Sequence, residues 1–87
     1  MKTIKELLEL LLDQYQNNPD GNIRCKGLCY AITTIRYHDL IILEEEALLR
    51  IYLREKYIKY PNLTGYWWPK CKIKPRVEFL QELISEL

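Results

Sequence analysis

The chain is predicted to be all-α, a compact four-helix domain with an ordered aromatic loop before the last helix. Three observations lead there. Apolar residues recur at helical spacing in four separate stretches. Acidic residues open the third stretch and basic residues close it, as the helix dipole favours. Clusters rich in Pro, Gly and Asn punctuate the first and third gaps.

Thr3-Ile4-Lys5-Glu6 fits a capping box, in which the threonine oxygen takes a helix N–H and Glu6 reaches back. Ile4, Leu7, Leu8, Leu11 and Tyr15 then follow the spacing of an apolar stripe. Asn17-Asn18-Pro19-Asp20-Gly21 stops this helix, because proline disfavours helix before it and Asp-Gly suits a turn.

Asn22 is the expected cap of a second helix running to about Tyr37. Leu28, Ala31, Ile32 and Ile35 supply its buried face, with Cys25 or Cys29 at the edges. Gly27 falls inside it and weakens helix propensity by about 1 kcal/mol relative to alanine, so close packing against a neighbour is expected there. The β-branched run Ile32-Thr33-Thr34-Ile35 would also suit a strand.

His38-Asp39 and the short apolar connection Leu40-Ile41-Ile42 lead to a third helix from Leu43 to about Lys59. Glu44-Glu45-Glu46 opens it, and Lys56 and Lys59 close it. Ala47, Leu48, Ile51, Tyr52 and Glu55 form one side, while Leu49, Leu53 and Tyr57 add a second apolar strip. Tyr60-Pro61-Asn62-Leu63-Thr64-Gly65 reads as loop, continuing through Lys74. Pro75 suits the first turn of a last helix, where its missing N–H costs nothing. The apolar face there is Val77, Leu80, Ile84 and Leu87, flanked by Phe79 and Leu83.

Eighty-seven residues, 48% of them hydrophobic and 29% charged, make one globular domain spanning 1–87. Apolar runs such as Leu10 to Leu12 and Leu40 to Leu43 are far short of the roughly 20 residues a membrane span needs. Glu6, Glu9 and Asp13 break the amino-terminal leucine run, so it does not read as a signal peptide. A soluble, cytoplasmic protein is expected. The odd number of cysteines, Cys25, Cys29 and Cys71, has no disulfide-framework spacing. A zinc site would need all three with His38, and reduced thiols packed as small apolar groups are the better reading.

Catalysis is hard to assemble, and no enzyme and no cofactor are expected. The single histidine, His38, has only Asp39 beside it, and adjacent residues rarely form a base and its orienter. No Gly-rich phosphate loop, His-Glu-x-x-His or nucleophile elbow is present. Glu44-Glu45-Glu46 reads as a solvated, dipole-matched first turn, since consecutive helix residues diverge too widely to share a metal.

Binding is easier to argue. Between Arg54 and Arg76 seven basic residues face one acid, a net +6, and the rest of the chain carries −5. Within that segment Tyr66, Trp67 and Trp68 offer flat apolar faces, and Lys70, Lys72, Lys74 and Arg76 surround them with positive charge. Base-on-aromatic stacking is worth about 1–3 kcal/mol, and lysines neutralise phosphates without reading sequence. These seven residues are the expected ligand site, for an anionic small molecule such as a nucleotide. The blander alternative has both indoles stapling the loop onto the core. Two other partners fit the same residue types. One is an acidic protein docked through Trp, Tyr and Arg. The other is nucleic acid, disfavoured by the overall charge of +1. Tyr30, Tyr37, Tyr52, Tyr57 and Tyr60 could widen such a patch or support a homo-oligomer.

Gly27-Leu28-Cys29 with Ala31-Ile32, then Tyr66-Trp67-Trp68-Pro69, then Pro75-Arg76-Val77-Glu78-Phe79-Leu80 and Leu83-Ile84 carry a resemblance. The pattern resembles a group of small uncharacterised helical phage accessory proteins with a Tyr-Trp-Trp/Phe-Pro … Pro-Arg … Phe-Leu ending. It covers about the last 25 residues well and the middle loosely. The resemblance implies a phage protein acting in the host cytoplasm, where counter-defence and inhibition of a host protein by direct contact are common roles, and it brings no catalytic residues. This chain departs from the group at Lys70-Cys71-Lys72-Ile73-Lys74, where the group has a Gly/Asp-containing turn. That departure points to a specialised loop.

Overall fold

The computed structural model describes residues 1–17, 27–57 and 73–87, the side chains at 57 and 73–75 excepted. Within them lie four helices: α1 (Ile4–Asn17), α2 (Leu28–Tyr37), α3 (Leu43–Tyr57) and α4 (Ile73–Ser85). No described residue is in a strand. The all-α, four-helix expectation holds, and the aromatic loop lies outside the described residues.

The capping box forms as its residue types dictate. The Thr3 N–H donates to Glu6 Oε1 at 3.0 Å and the Glu6 N–H to Thr3 Oγ1 at 3.2 Å. These bonds favour the ionised form, so the Glu6 carboxyl titrates below its ordinary range, the Thr3 backbone N–H being the main cause. The predicted stripe is the buried one: Leu7, Leu8, Leu11 and Tyr15 are in the core and Ile4 packs against it.

The start of α2 differs from expectation. Gly27 is its N-cap in extended conformation (φ −72°, ψ 172°), so the glycine sits outside the helix and does not weaken its interior. Residues 18–26, with the Asn22 cap and Cys25, lie outside the described residues. From Leu28 onward the expected face of Leu28, Ala31, Ile32 and Ile35 is buried. The strand alternative falls. Thr33 and Thr34 satisfy their hydroxyls on the helix itself, donating to the Cys29 and Tyr30 carbonyls at 3.1 and 2.9 Å.

The end of α2 is a Schellman motif. Asp39 takes φ 59°, its N–H donates to the Arg36 carbonyl at 3.0 Å, and the Leu40 N–H reaches the Ile35 carbonyl at 2.9 Å. This reversal delivers Ile41 to the core, 3% exposed, immediately before α3.

Of the two apolar strips expected on α3, the one carrying Leu49 and Leu53 turns inward. Glu45, Leu49 and Leu53 are buried, whereas Ala47, Leu48, Ile51 and Glu55 are exposed and Tyr52 is half-buried. Apolar residues occupy almost every direction around this helix, so spacing alone does not choose its inner face. Polar contacts choose it. Glu45 Oε1 accepts the Ile42 N–H at 2.9 Å and Oε2 accepts the Lys2 N–H at 2.6 Å, which turns that side inward. The acidic first turn is therefore only partly solvated: Glu44 faces water, Glu45 is buried, and Glu46 is half-buried.

α4 is rotated relative to expectation. Arg76, Phe79, Leu80 and Leu83 are buried at positions i, i+3, i+4 and i+7. Val77 and Ile84 are partly buried, and Leu87 is exposed. An arginine in the central stripe disguised it, since a charged residue reads as a surface position. Pro75 lies in the first turn as predicted, although the helix begins two residues earlier, at Ile73.

α1 is the hub. It packs most extensively on α4 and also touches α3 and α2, while α2 pairs with α3. The radius of gyration, 11.9 Å, is close to the roughly 12 Å of a compact chain this long.

Candidate ligand-binding site

Of the seven residues expected to hold a ligand, Tyr66, Trp67, Trp68, Lys70 and Lys72 lie outside the described residues. Lys74 is the second residue of α4, with its side chain not described. Arg76 alone can be compared, and it is not on a solvent-facing rim. It is fully buried, with its guanidinium carbon 6.0 Å from the centroid of the Tyr15 ring.

Tyr15 is itself 2% exposed, near the end of α1. A desolvated guanidinium over an aromatic face gains about 2 kcal/mol from the ring quadrupole, and its stem adds apolar contact. Arg76 thus fastens the first turn of α4 to the last turn of α1. The expected solvent-facing placement is therefore corrected: in this position Arg76 organises the fold beside the basic segment.

A second polar cluster joins α2 to α3, and sequence reasoning missed it. Glu46 takes Arg36 Nε at 3.1 Å and Arg50 Nε at 3.4 Å. Arg50 Nη2 donates to Thr33 Oγ1 at 2.7 Å and Nη1 to Cys29 Sγ at 3.0 Å. Two sequence signals were available: the i, i+4 pair Glu46–Arg50, and Cys29 and Thr33 sharing one helix face. Beside this cluster lies a shallow cleft of about 130 Å³ lined by Cys29, Ile32, Arg50, Leu53 and Arg54. Its size suits a few waters or a small anion. The thiol of Cys29 is exposed in it, not packed as an apolar group.

Glu45 is the other residue the sequence concealed. Its carboxylate accepts two backbone N–H groups, from Ile42 and from Lys2. Those bonds, that of Ile42 first, hold its carboxyl below the ordinary range. At the far end of α3, Lys56 Nζ lies 5.4 Å from the Tyr52 ring centroid and 3.9 Å from Glu86. Burial, with Glu86 nearby, pushes the Tyr52 phenol upward.

His38 caps α2 and is exposed, as its position at a helix end predicts. Among the described residues no three His, Cys, Asp or Glu side chains gather where a metal would need them. Among the same residues no helix is long and apolar enough to cross a membrane. Comparison with protein-family models, with curated proteins and with solved structures gave no match.

Proposed function

We propose that this chain is a non-catalytic binding protein that captures an anionic ligand, a nucleotide being the favoured class. Tyr66, Trp67, Trp68, Lys70, Lys72 and Lys74 are the contacts. The observation that carries this reading is compositional: both tryptophans of the chain and three lysines fall within eight residues of a +6 segment. Indole faces stack on bases and ammonium groups neutralise phosphate, and neither interaction needs a catalytic side chain. The buried Arg76–Tyr15 contact supports the reading indirectly, because it ties the helix that follows the basic run to the hub of the fold. A rigid mount lowers the ordering cost of capture.

The resemblance to small phage accessory proteins supports a setting in the host cytoplasm. There, sequestration of a nucleotide immune signal would be a counter-defence activity. The test is a panel of mono-, di- and cyclic nucleotides. Binding should quench tryptophan fluorescence and raise the melting temperature, both effects weakening with salt and in Trp68→Ala and Lys72→Ala. A panel that moves neither signal rules the reading out.

A further inference from the structure

The exposed face of α3 carries a seam that matches itself when reversed. Glu44, Ala47, Ile51 and Arg54 are all exposed and spaced 3, 4 and 3 residues apart, which keeps them on one side of the helix. The spacing is the same in either direction, and the charges at its ends are opposite. Leu43 (62% exposed) and Leu48 (36%) flank the seam, and Ile42 (52%) and Leu40 (39%) extend the apolar patch past the start of the helix. Ile51, at its centre, is 59% exposed.

From this we infer that α3 is the docking surface for a second copy of the chain, packed antiparallel across a two-fold axis at the level of Leu49. In that arrangement Glu44 of each copy lies opposite Arg54 of the other, and Ala47 opposite Ile51. The small alanine gives the branched isoleucine room and lets two helix axes approach to the usual 8–10 Å. The same patch serves both copies, as a two-fold interface requires. Neither Glu44 nor Arg54 forms an ion pair with a described residue, so both are available to pair across the axis. A strongly acidic or basic partner would meet like charge at one end of the seam, whereas a reversed copy meets opposite charge at both. The near-neutral chain, +1 in all, adds little repulsion between copies.

Sedimentation equilibrium of the full chain tests this. The apparent mass should rise with concentration toward twice the 10.5 kDa of one chain. Ile51→Glu should hold the mass at one chain while helical circular dichroism is unchanged, because the residue is outside the core. Glu44→Arg should weaken the dimer roughly tenfold, through two symmetry-related pairs. Glu44→Arg with Arg54→Glu should restore it. A wild-type chain that stays monomeric at every concentration overturns the inference, as does a dimer indifferent to Ile51→Glu. A monomeric wild type that loses stability on Ile51→Glu would mean the face is covered within the chain, which also overturns it. A double charge variant weaker than the single one refutes the antiparallel register.

Discussion

The Arg76 guanidinium and the Tyr15 ring, 6.0 Å apart and both buried, join the start of α4 to the end of α1. This places a permanent charge at the centre of an otherwise apolar stripe. The helix pair with the most extensive packing is thus held partly by an interaction that demands an aromatic face at one position of α1.

That demand is measurable by a double-mutant cycle. Tyr15→Leu should destabilise the fold by about 2–4 kcal/mol, from lost ring contact with the cation together with lost packing. Arg76→Met removes the charge and keeps much of the volume. In its background, Tyr15→Leu should cost about 1–2 kcal/mol less, and the difference is the coupling energy. Urea unfolding of the four proteins gives it; a coupling near zero would reduce the contact to coincidental proximity.

Two adjacent leucines on α3 test which face is inner. Leu49 is fully buried and Leu48 is 36% exposed, although sequence spacing put each on an apolar strip. Leu49→Ala should cost about 2–5 kcal/mol and Leu48→Ala less than about 1 kcal/mol, compared by chemical denaturation. The reverse order would mean that the helix is turned the other way.

What the sequence disclosed and what it hid divide along physical lines. α1 was legible because its signals are local: a threonine and a glutamate three apart, then a stripe without charged intruders. The inner face of α2 was legible for the same reason. Its start was not, because glycine serves equally as an interior weak point or as a cap, and only the extended backbone at Gly27 decides. α3 was half legible: its Leu49–Leu53 strip was marked, but apolar residues encircle the helix, and the choice between strips falls to Glu45 and to a backbone N–H 43 positions away. α4 was misjudged because Arg76 stands where a leucine would normally mark the stripe. That arginine also bears on the candidate site. A basic residue beside lysines reads as part of a charged rim, and only tertiary packing assigns it to the interior.

The reversal after α2 rests on a residue without glycine's freedom. Asp39 at φ 59° bears the left-handed penalty that every side chain with a Cβ incurs. Asp39→Gly should therefore stabilise the protein by about 0.5–1 kcal/mol, the relief of strain being offset in part by a more flexible unfolded chain. Asp39→Val should destabilise it by more, since β-branching fits this region worst. Thermal unfolding of the pair reads both signs, and a gain from valine would contradict the conformation at this turn.

Glu45 sets an acid limit on stability. Its carboxylate accepts the Ile42 and Lys2 N–H groups, and these bonds hold its folded-state titration below the ordinary value of 4.5. A carboxyl depressed on folding binds its proton more weakly in the native state than in the unfolded one. Its contribution is therefore complete above the ordinary value and drains away as pH falls through the folded-state value. Glu6 acts in the same direction through Thr3. Stability measured by urea unfolding should then decline from pH 5 toward pH 3, a window set by the 4.5 reference and the downward shifts. Glu45→Gln keeps the shape but loses the charge, so it should be less stable at neutral pH and decline more shallowly in acid. The amino-terminal residues should respond with it: amide exchange at Lys2 should quicken in Glu45→Gln at neutral pH, where the wild-type N–H is held at 2.6 Å. Equal acid slopes for the two proteins would show that the carboxylate does not govern the transition.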